Sequence, residues 1–80
     1  MEKTLQAAQV LDCKGLRCPM PIVKLSKAIK SIAVGDVIEL WTTDPDSVTD
    51  LEAFQKLTKH ELVAMERQGG AYRFLVKRTS

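Results

Sequence analysis

Apolar residues recur at three- and four-residue steps in two segments of the chain, which is the pattern of an amphipathic helix. The first segment covers residues 21–32, and its repeating apolar positions are Ile22, Leu25, Ile29 and Ile32. Asp46 or Ser47 can cap the second segment, and Ser47 with Asp50 has the spacing of a capping box. Its apolar stripe is Val48, Leu51, Phe54 and Leu57. The sequence therefore predicts two helices, each with one buried face.

Four short runs rich in β-branched and apolar residues predict strands. Two of them cover residues 8–12 and 37–42, and the other two flank the segment QGG, where glycines favour a hairpin turn. Alternation in the second strand places Ile38 and Leu40 on one face and Trp41 on the other. The order βαβαββ predicts a two-layer α/β sandwich, with a four-stranded mixed sheet and two helices on one face, formed by residues 1–80 as a single domain.

The predicted topology brings chemically interesting residues to one edge of the sheet. Parallel strands end at the same edge, where open α/β proteins place their sites. Cys18 follows the first strand and Asp44 follows the second. If the third strand also runs parallel to these two, the turn at Gly69 and Gly70 joins the same edge.

Composition narrows the class of protein. The chain of 80 residues is 45% hydrophobic and contains two cysteines and one histidine, which is too few ligands for a zinc site. It has no apolar run of membrane-spanning length and no signal-peptide pattern at its amino terminus. We therefore expect a cytoplasmic protein with free thiols, without a zinc site and without membrane attachment, and a monomer is the simplest expectation.

The charges are unevenly distributed although the formal net charge is only +2. Residues 13–34 contain no acid and five basic residues, which are Lys14, Arg17, Lys24, Lys27 and Lys30. This segment suits an acidic protein surface or an RNA backbone, and it equally suits a solvated helix face.

The segment DCKGLRCPMPIVK contains both cysteines and carries the candidate chemistry. Pro19 and Pro21 fit the first turn of a helix, so Cys18 is expected at the helix amino terminus, where the dipole favours a thiolate. Arg17 and Lys24 add positive charge. A reactive Cys18 is one interpretation, and a packed, inert thiol is the other. His60 is expected far from Cys18, so a carrier of a transferable group fits better than a Cys–His hydrolase.

The motif RCPMP, preceded by Asp12, Gly15 and Leu16, resembles the Cys-Pro-x-Pro signature of the TusA/SirA-like sulfur carriers. The segments DP, HELV and YRFLVKR also resemble that family, and the similarity covers about residues 10–77. It implies a two-layer sandwich in which Cys18 accepts a sulfane sulfur as a persulfide and relays it to a partner protein. It also implies a cysteine desulfurase or rhodanese as donor, no cofactor, and a destination in tRNA thiolation, molybdenum cofactor assembly or sulfur oxidation.

Some positions leave alternatives open. Met20 stands between the prolines, where relatives often have an acid. Cys13 is either a packing residue at a strand end or a resolving thiol for Cys18, which would make the protein a thiol redox regulator. Asp44 either stabilises its turn or tunes the thiol and orients a partner. The same topology resembles the carboxy-terminal domain of bacterial translation initiation factor three, but the aromatic residues needed for stacking on RNA bases are missing, so direct nucleic-acid binding is disfavoured.

Overall fold

Four strands and two helices follow one another in the order βαβαββ. The strands are β1 (Gln9–Cys13), β2 (Val37–Thr42), β3 (Glu61–Gln68) and β4 (Ala71–Lys77), and the helices are α1 (Met20–Ala28) and α2 (Ser47–Thr58). These elements come from a computed structural model that describes residues 7–17 and 20–79. The predicted fold class is confirmed, and the predicted bounds of β2 agree with the structure.

The strands form one mixed sheet in the order β1-β2-β4-β3. β1 pairs with β2 in parallel, whereas β4 is antiparallel to both β2 and β3, so β3 has the same direction as β1 and β2. The ends of these three strands, at Cys13, Thr42 and Gln68, therefore share one edge, which we call the carboxyl rim. The hairpin turn at Gly69 and Gly70 lies on this rim, as expected if β3 is parallel, and both glycines have positive φ angles.

The two helices cover one face of the sheet and enclose the core between the layers. Alternation along β2 directs Ile38 and Leu40 toward the helices, where they are buried. The core cluster combines residues of both helices, of the segment directly after α1 and of three strands: Cys13, Leu25, Ile29, Ile32, Ile38, Leu40, Leu51, Phe54, Phe74 and Val76. No helix in the described ranges 7–17 and 20–79 is long and apolar enough to cross a membrane.

Helix α1 is shorter than the predicted segment 21–32 because its last turn tightens. Ile29–Ser31 form a 3₁₀ turn, and the hydroxyl of Ser31 donates a hydrogen bond to the carbonyl of Ala28 at 2.7 Å. The guanidinium of Arg78 donates to the carbonyl of Ile32 at 2.6 Å. The carbonyls at the end of this helical segment are thus satisfied by side chains instead of by another α-helical turn.

Helix α2 corrects two expectations. The capping box is wrong, because Ser47 lies inside the helix, and Asp46 occupies the cap position without a side-chain cap hydrogen bond. Leu57 was expected in the buried stripe but is 83% exposed. Three-residue steps fall about 60° short of a full helical turn, so the stripe Val48, Leu51, Phe54 rotates out of the core before Leu57 is reached.

The sheet face opposite the helices carries a polar network. Glu39 accepts hydrogen bonds from the indole N–H of Trp41 at 2.6 Å and from Nε of Arg73 at 3.0 Å. Arg73 also pairs with Glu66 at 3.2 Å. The indole is therefore hydrogen-bonded to its own strand, and the Glu39 carboxylate links it to Arg73 of β4, on the face that strand alternation predicted for it.

Candidate functional site

The turn after β1 directly precedes Cys18, the candidate nucleophile. Its first backbone N–H groups are satisfied locally: Lys14 donates to the Asp12 carboxylate at 3.1 Å, and Leu16 donates to the Cys13 carbonyl at 3.1 Å. Gly15 adopts a φ of +85°, which residues with a Cβ rarely occupy. The turn is thus a defined structure that ends in Arg17, the covalent neighbour of Cys18.

The start of α1 follows this turn almost at once. The backbone N–H of Met20 donates to the carbonyl of Arg17 at 2.8 Å, and Pro21 is buried in the first turn of the helix. Cys18 and Pro19 lie outside the described residues, and their predicted roles remain predictions. Their flanks show that the motif joins a turn on the carboxyl rim to the beginning of a helix.

The turn after β2 is organised by Asp44. Its carboxylate accepts the backbone N–H of Asp46 at 3.0 Å, and its carbonyl accepts the N–H of Ser47 at 3.0 Å. Both acceptors of Asp44 thus hold the turn that leads into α2, whose cap residue Asp46 makes no side-chain cap hydrogen bond. This supports the interpretation of Asp44 as a turn-stabilising residue, and a role beside the thiol stays a prediction.

The two rim turns meet at a polar cleft of about 410 Å³. Its walls are formed by Arg17 from the turn after β1 and by residues of the turn after β2, namely Thr43, Asp44, Pro45 and Asp46. The structure thus brings together Arg17 and Asp44, which are distant in sequence. The guanidinium of Arg17, which directly precedes Cys18 in the chain, lies on one wall, and the carboxylates of Asp44 and Asp46 lie on the other.

Thr43 is a rim residue that sequence reasoning missed. Its hydroxyl accepts the backbone N–H of Gly15 at 2.9 Å, so it joins the two turns directly. The neighbouring ammonium of Lys14 lies 5.4 Å from the centroid of the Trp41 ring. The signal for Thr43 was a hydroxyl residue directly after the second parallel strand, at the edge where the turn after the first strand also lies.

Cys13 is fully buried and a free thiol. It faces the helices at the end of β1, opposite Thr42 of β2. Burial raises the pKa of the Cys13 thiol, the charge of Lys24 opposes this rise, and the charge of Asp12 adds to it. A buried thiol with a raised pKa is a poor nucleophile at neutral pH, which favours the packing interpretation of Cys13.

His60 lies at the opposite edge of the sheet, just before β3, as the sequence indicated. It borders a cleft of about 390 Å³ between the ends of the two helices, with Ser26, Ile29, Lys30, Phe54, Thr58 and Arg78. Its Nδ1 accepts the backbone N–H of Thr79 at 3.1 Å. The histidine is thus engaged with the end of the chain, away from the carboxyl rim.

Known proteins are similar to this chain over most of its length. Residues 9–78 match the model of the family Sulfurtransferase TusA. The sulfur carrier protein TusA of Allochromatium vinosum is 41% identical over 71 residues, which cover 89% of this chain and 93% of that protein. YrkF of Bacillus subtilis, a candidate sulfur carrier, is 45% identical over 74 residues. These residues cover 92% of this chain but only 40% of the length of YrkF.

A solved structure shows the same fold at lower sequence similarity. The SirA-like protein of Desulfitobacterium hafniense superimposes with a TM-score of 0.77 at 18% identity, covering 90% of this chain and 99% of that one. The family model and the TusA relative carry the assignment, because they match most of the chain at the level of sequence. The chain belongs to the TusA family of sulfurtransferases, which are sulfur carrier proteins.

Proposed function

We propose that the protein carries sulfane sulfur as a persulfide on Cys18 and passes it to a partner protein. The observation that carries the proposal is the junction of Arg17 and Met20, where a turn on the carboxyl rim runs through the family's cysteine motif into α1. A thiol at the start of a helix, beside Arg17, is favoured as the thiolate. The thiolate is the form that attacks a sulfane sulfur.

The proposed transfer balances without an oxidant or a reductant. The Cys18 thiolate attacks the outer sulfur of a donor persulfide, a new S–S bond forms at Cys18, and the donor S–S bond breaks. The donor leaves as a thiolate, and Cys18 holds the outer sulfur. In the second step a nucleophile of the acceptor attacks that outer sulfur and releases the Cys18 thiolate. The reaction needs no acid–base residue of the hydrolase type, which agrees with the distance of His60 from the rim.

The partners in this proposal are a sulfur-donor protein, namely a cysteine desulfurase or a rhodanese, and a downstream acceptor protein. The acceptor belongs to tRNA thiolation, molybdenum cofactor assembly or sulfur oxidation. Lys24 and Lys27 are exposed on α1, and Lys30 is exposed on the 3₁₀ turn that follows it, so an acidic partner surface would complement this segment. The proposal places a monomeric carrier in the cytoplasm, where thiols stay reduced.

Two other functions receive less support. The chain has four aromatic residues. Phe54 and Phe74 are in the core, Tyr72 is partly buried and stacked on Phe74, and the Trp41 indole is hydrogen-bonded on the sheet. The described residues therefore offer no row of aromatic side chains for base stacking. A redox switch between Cys13 and Cys18 requires an accessible Cys13, which is fully buried.

Intact-mass measurement tests the proposal directly. After incubation with a cysteine desulfurase and cysteine, the protein should gain about 32 Da, one sulfur atom, and dithiothreitol should remove it. Cys18→Ser should take up no sulfur, and Cys13→Ala should load like the unaltered protein. A gain that survives in Cys18→Ser, or no gain in the unaltered protein, contradicts the proposal.

A further inference from the structure

We propose that Thr43 is a positioning residue for Cys18, and this rests on the proposed function of Cys18 as sulfur acceptor. The relevant contact is the hydrogen bond from the backbone N–H of Gly15 to the Thr43 hydroxyl, at 2.9 Å and across 28 positions of sequence. It ties the turn that leads into Cys18 to the residue directly after β2. Thr43 therefore holds the approach to the thiol from a different strand.

A second contact from the same turn strengthens this assignment. The ammonium of Lys14 lies over the ring of Trp41, two residues before Thr43. Two consecutive residues of the turn after β1 thus engage residues at the end of β2, one through a cation–π contact and one through a hydrogen bond. The turn is held against the strand end at two points, so its position relative to the rim cleft is fixed.

The hydrogen bond between Gly15 and Thr43 is expected to contribute more to the position of the turn than to the free energy of unfolding. The bond between Gly15 and Thr43 is exposed, and water can replace an exposed hydrogen bond at little net cost. Its loss should therefore change the free energy of unfolding only slightly. The loss would, however, release the turn that carries Arg17 from the wall of the cleft that contains Thr43.

The charges around the rim make the thiol sensitive to such a displacement. The charged side chains described on the rim and next to it are Asp12, Lys14, Arg17, Lys24, Asp44, Asp46 and Arg67. Arg17 adjoins Cys18 in the chain and moves with the turn, whereas Asp44 and Asp46 stand on the other wall, so release of the turn takes the thiol away from carboxylates that disfavour the thiolate. The pH dependence of thiol reactivity is thus the property that Thr43 should control.

The experiment measures alkylation of Cys18 by iodoacetamide as a function of pH, with the product assigned to Cys18 by peptide mass. Thr43→Val removes the acceptor with little change of shape, and we expect the midpoint to move downward by about half a pH unit, or about threefold in the thiolate-to-thiol ratio, because the turn leaves the wall that carries Asp44 and Asp46. Thr43→Ser keeps the hydroxyl and should restore the original midpoint. Thr43→Ala provides a second, smaller replacement and should behave like Thr43→Val.

Thr58→Val is the matched control. The Thr58 hydroxyl donates to the carbonyl of Phe54 and accepts the N–H of His60 at the opposite edge of the sheet. Its loss should lower stability in urea yet leave the alkylation midpoint unchanged. The inference is overturned if Thr43→Val and Thr43→Ala retain the original midpoint, if Thr43→Ser does not, or if Thr58→Val shifts it equally.

Alkylation requires no sulfur donor, so this result is independent of sulfur loading. If the unaltered protein takes up no sulfur but Thr43→Val shifts the midpoint, the proposed function fails and the positioning role of Thr43 stands. If sulfur is loaded and the midpoint does not move, the proposed function stands and the positioning role fails.

Discussion

Cys13 and Thr42 lie opposite each other at the ends of the parallel strands β1 and β2, and both side chains are fully buried on the helix side of the sheet. The Thr42 hydroxyl has no hydrogen-bond partner among the described residues, and the same is true of the buried Ser47 hydroxyl. The hydroxyls of Thr42 and Ser47 are thus buried beneath the carboxyl rim and form no hydrogen bond with each other. Their energetic cost can be measured.

Thr42→Val should stabilise the fold. The substitution replaces a buried hydroxyl that lacks a partner with a methyl group of similar shape, and we expect the free energy of unfolding to rise by about 1 kcal/mol. Urea denaturation monitored by circular dichroism provides the measurement. Thr58→Val is the control and should lower stability, because its hydroxyl makes two hydrogen bonds. A loss of stability in Thr42→Val would show that this hydroxyl has a stabilising partner.

Cys13 should make stability depend on pH in the alkaline range. Because burial raises the pKa of the folded thiol above its ordinary value of 9.0, the unfolded chain loses this proton first. The contribution of Cys13 is therefore complete below pH 9 and is lost as the pH rises through the folded pKa. Urea denaturation from pH 7 to about pH 10 should show a decline that is shallower in Cys13→Ala. Parallel declines in the two proteins would argue against an effect of Cys13.

Two leucines of α2 should respond very differently to truncation. Leu51 is 1% exposed, and Leu51→Ala should cost about 2–5 kcal/mol of unfolding free energy because it leaves a cavity in the core. Leu57 is largely exposed, and Leu57→Ala should change stability by less than about 0.5 kcal/mol. Thermal and urea denaturation of the two variants make the comparison. A large loss in Leu57→Ala would place this side chain in the core.

The ion pairs of Arg73 should differ in strength. Glu39 is the more enclosed partner and Glu66 the more exposed one, with side-chain exposures of 19% and 52%. A double-mutant cycle of Arg73→Met with Glu39→Gln should give a coupling energy of about 1 kcal/mol, and the cycle with Glu66→Gln only a few tenths. The hydrogen bond from Arg73 raises its own pKa, as expected for a guanidinium beside a carboxylate. Equal coupling energies would contradict this ranking.

The sequence predicted the architecture because periodicity and turn residues agree along the chain. Alternation identified the buried face of β2. The direction of β3, which the sequence left open, depends on β4 lying antiparallel to both β2 and β3. The predicted buried stripe of α2 was wrong at Leu57, because residues at three-residue steps drift around a helix. Thr58, the next residue, lies nearer the core.

The rim was only partly predictable. Cys18 and Asp44 were expected at one edge because parallel strands end there, and the cleft between Asp44 and Arg17, the neighbour of Cys18, agrees with that expectation. The hydrogen bond between Gly15 and Thr43 uses a backbone N–H as donor and depends on the relative position of two turns. Neither of these can be read from residue types. The turn-stabilising role of Asp44 was one of the two interpretations that the sequence allowed, and the hydrogen bond from the N–H of Asp46 supports it.

The cation–π contact of Lys14 gives the protein a built-in optical reporter. Trp41 is the single tryptophan of the chain, and its ring is touched by the turn that leads into Cys18. Movement of this turn during sulfur loading or partner docking would change the surroundings of the indole. Tryptophan emission can therefore follow the rim in real time without an attached label.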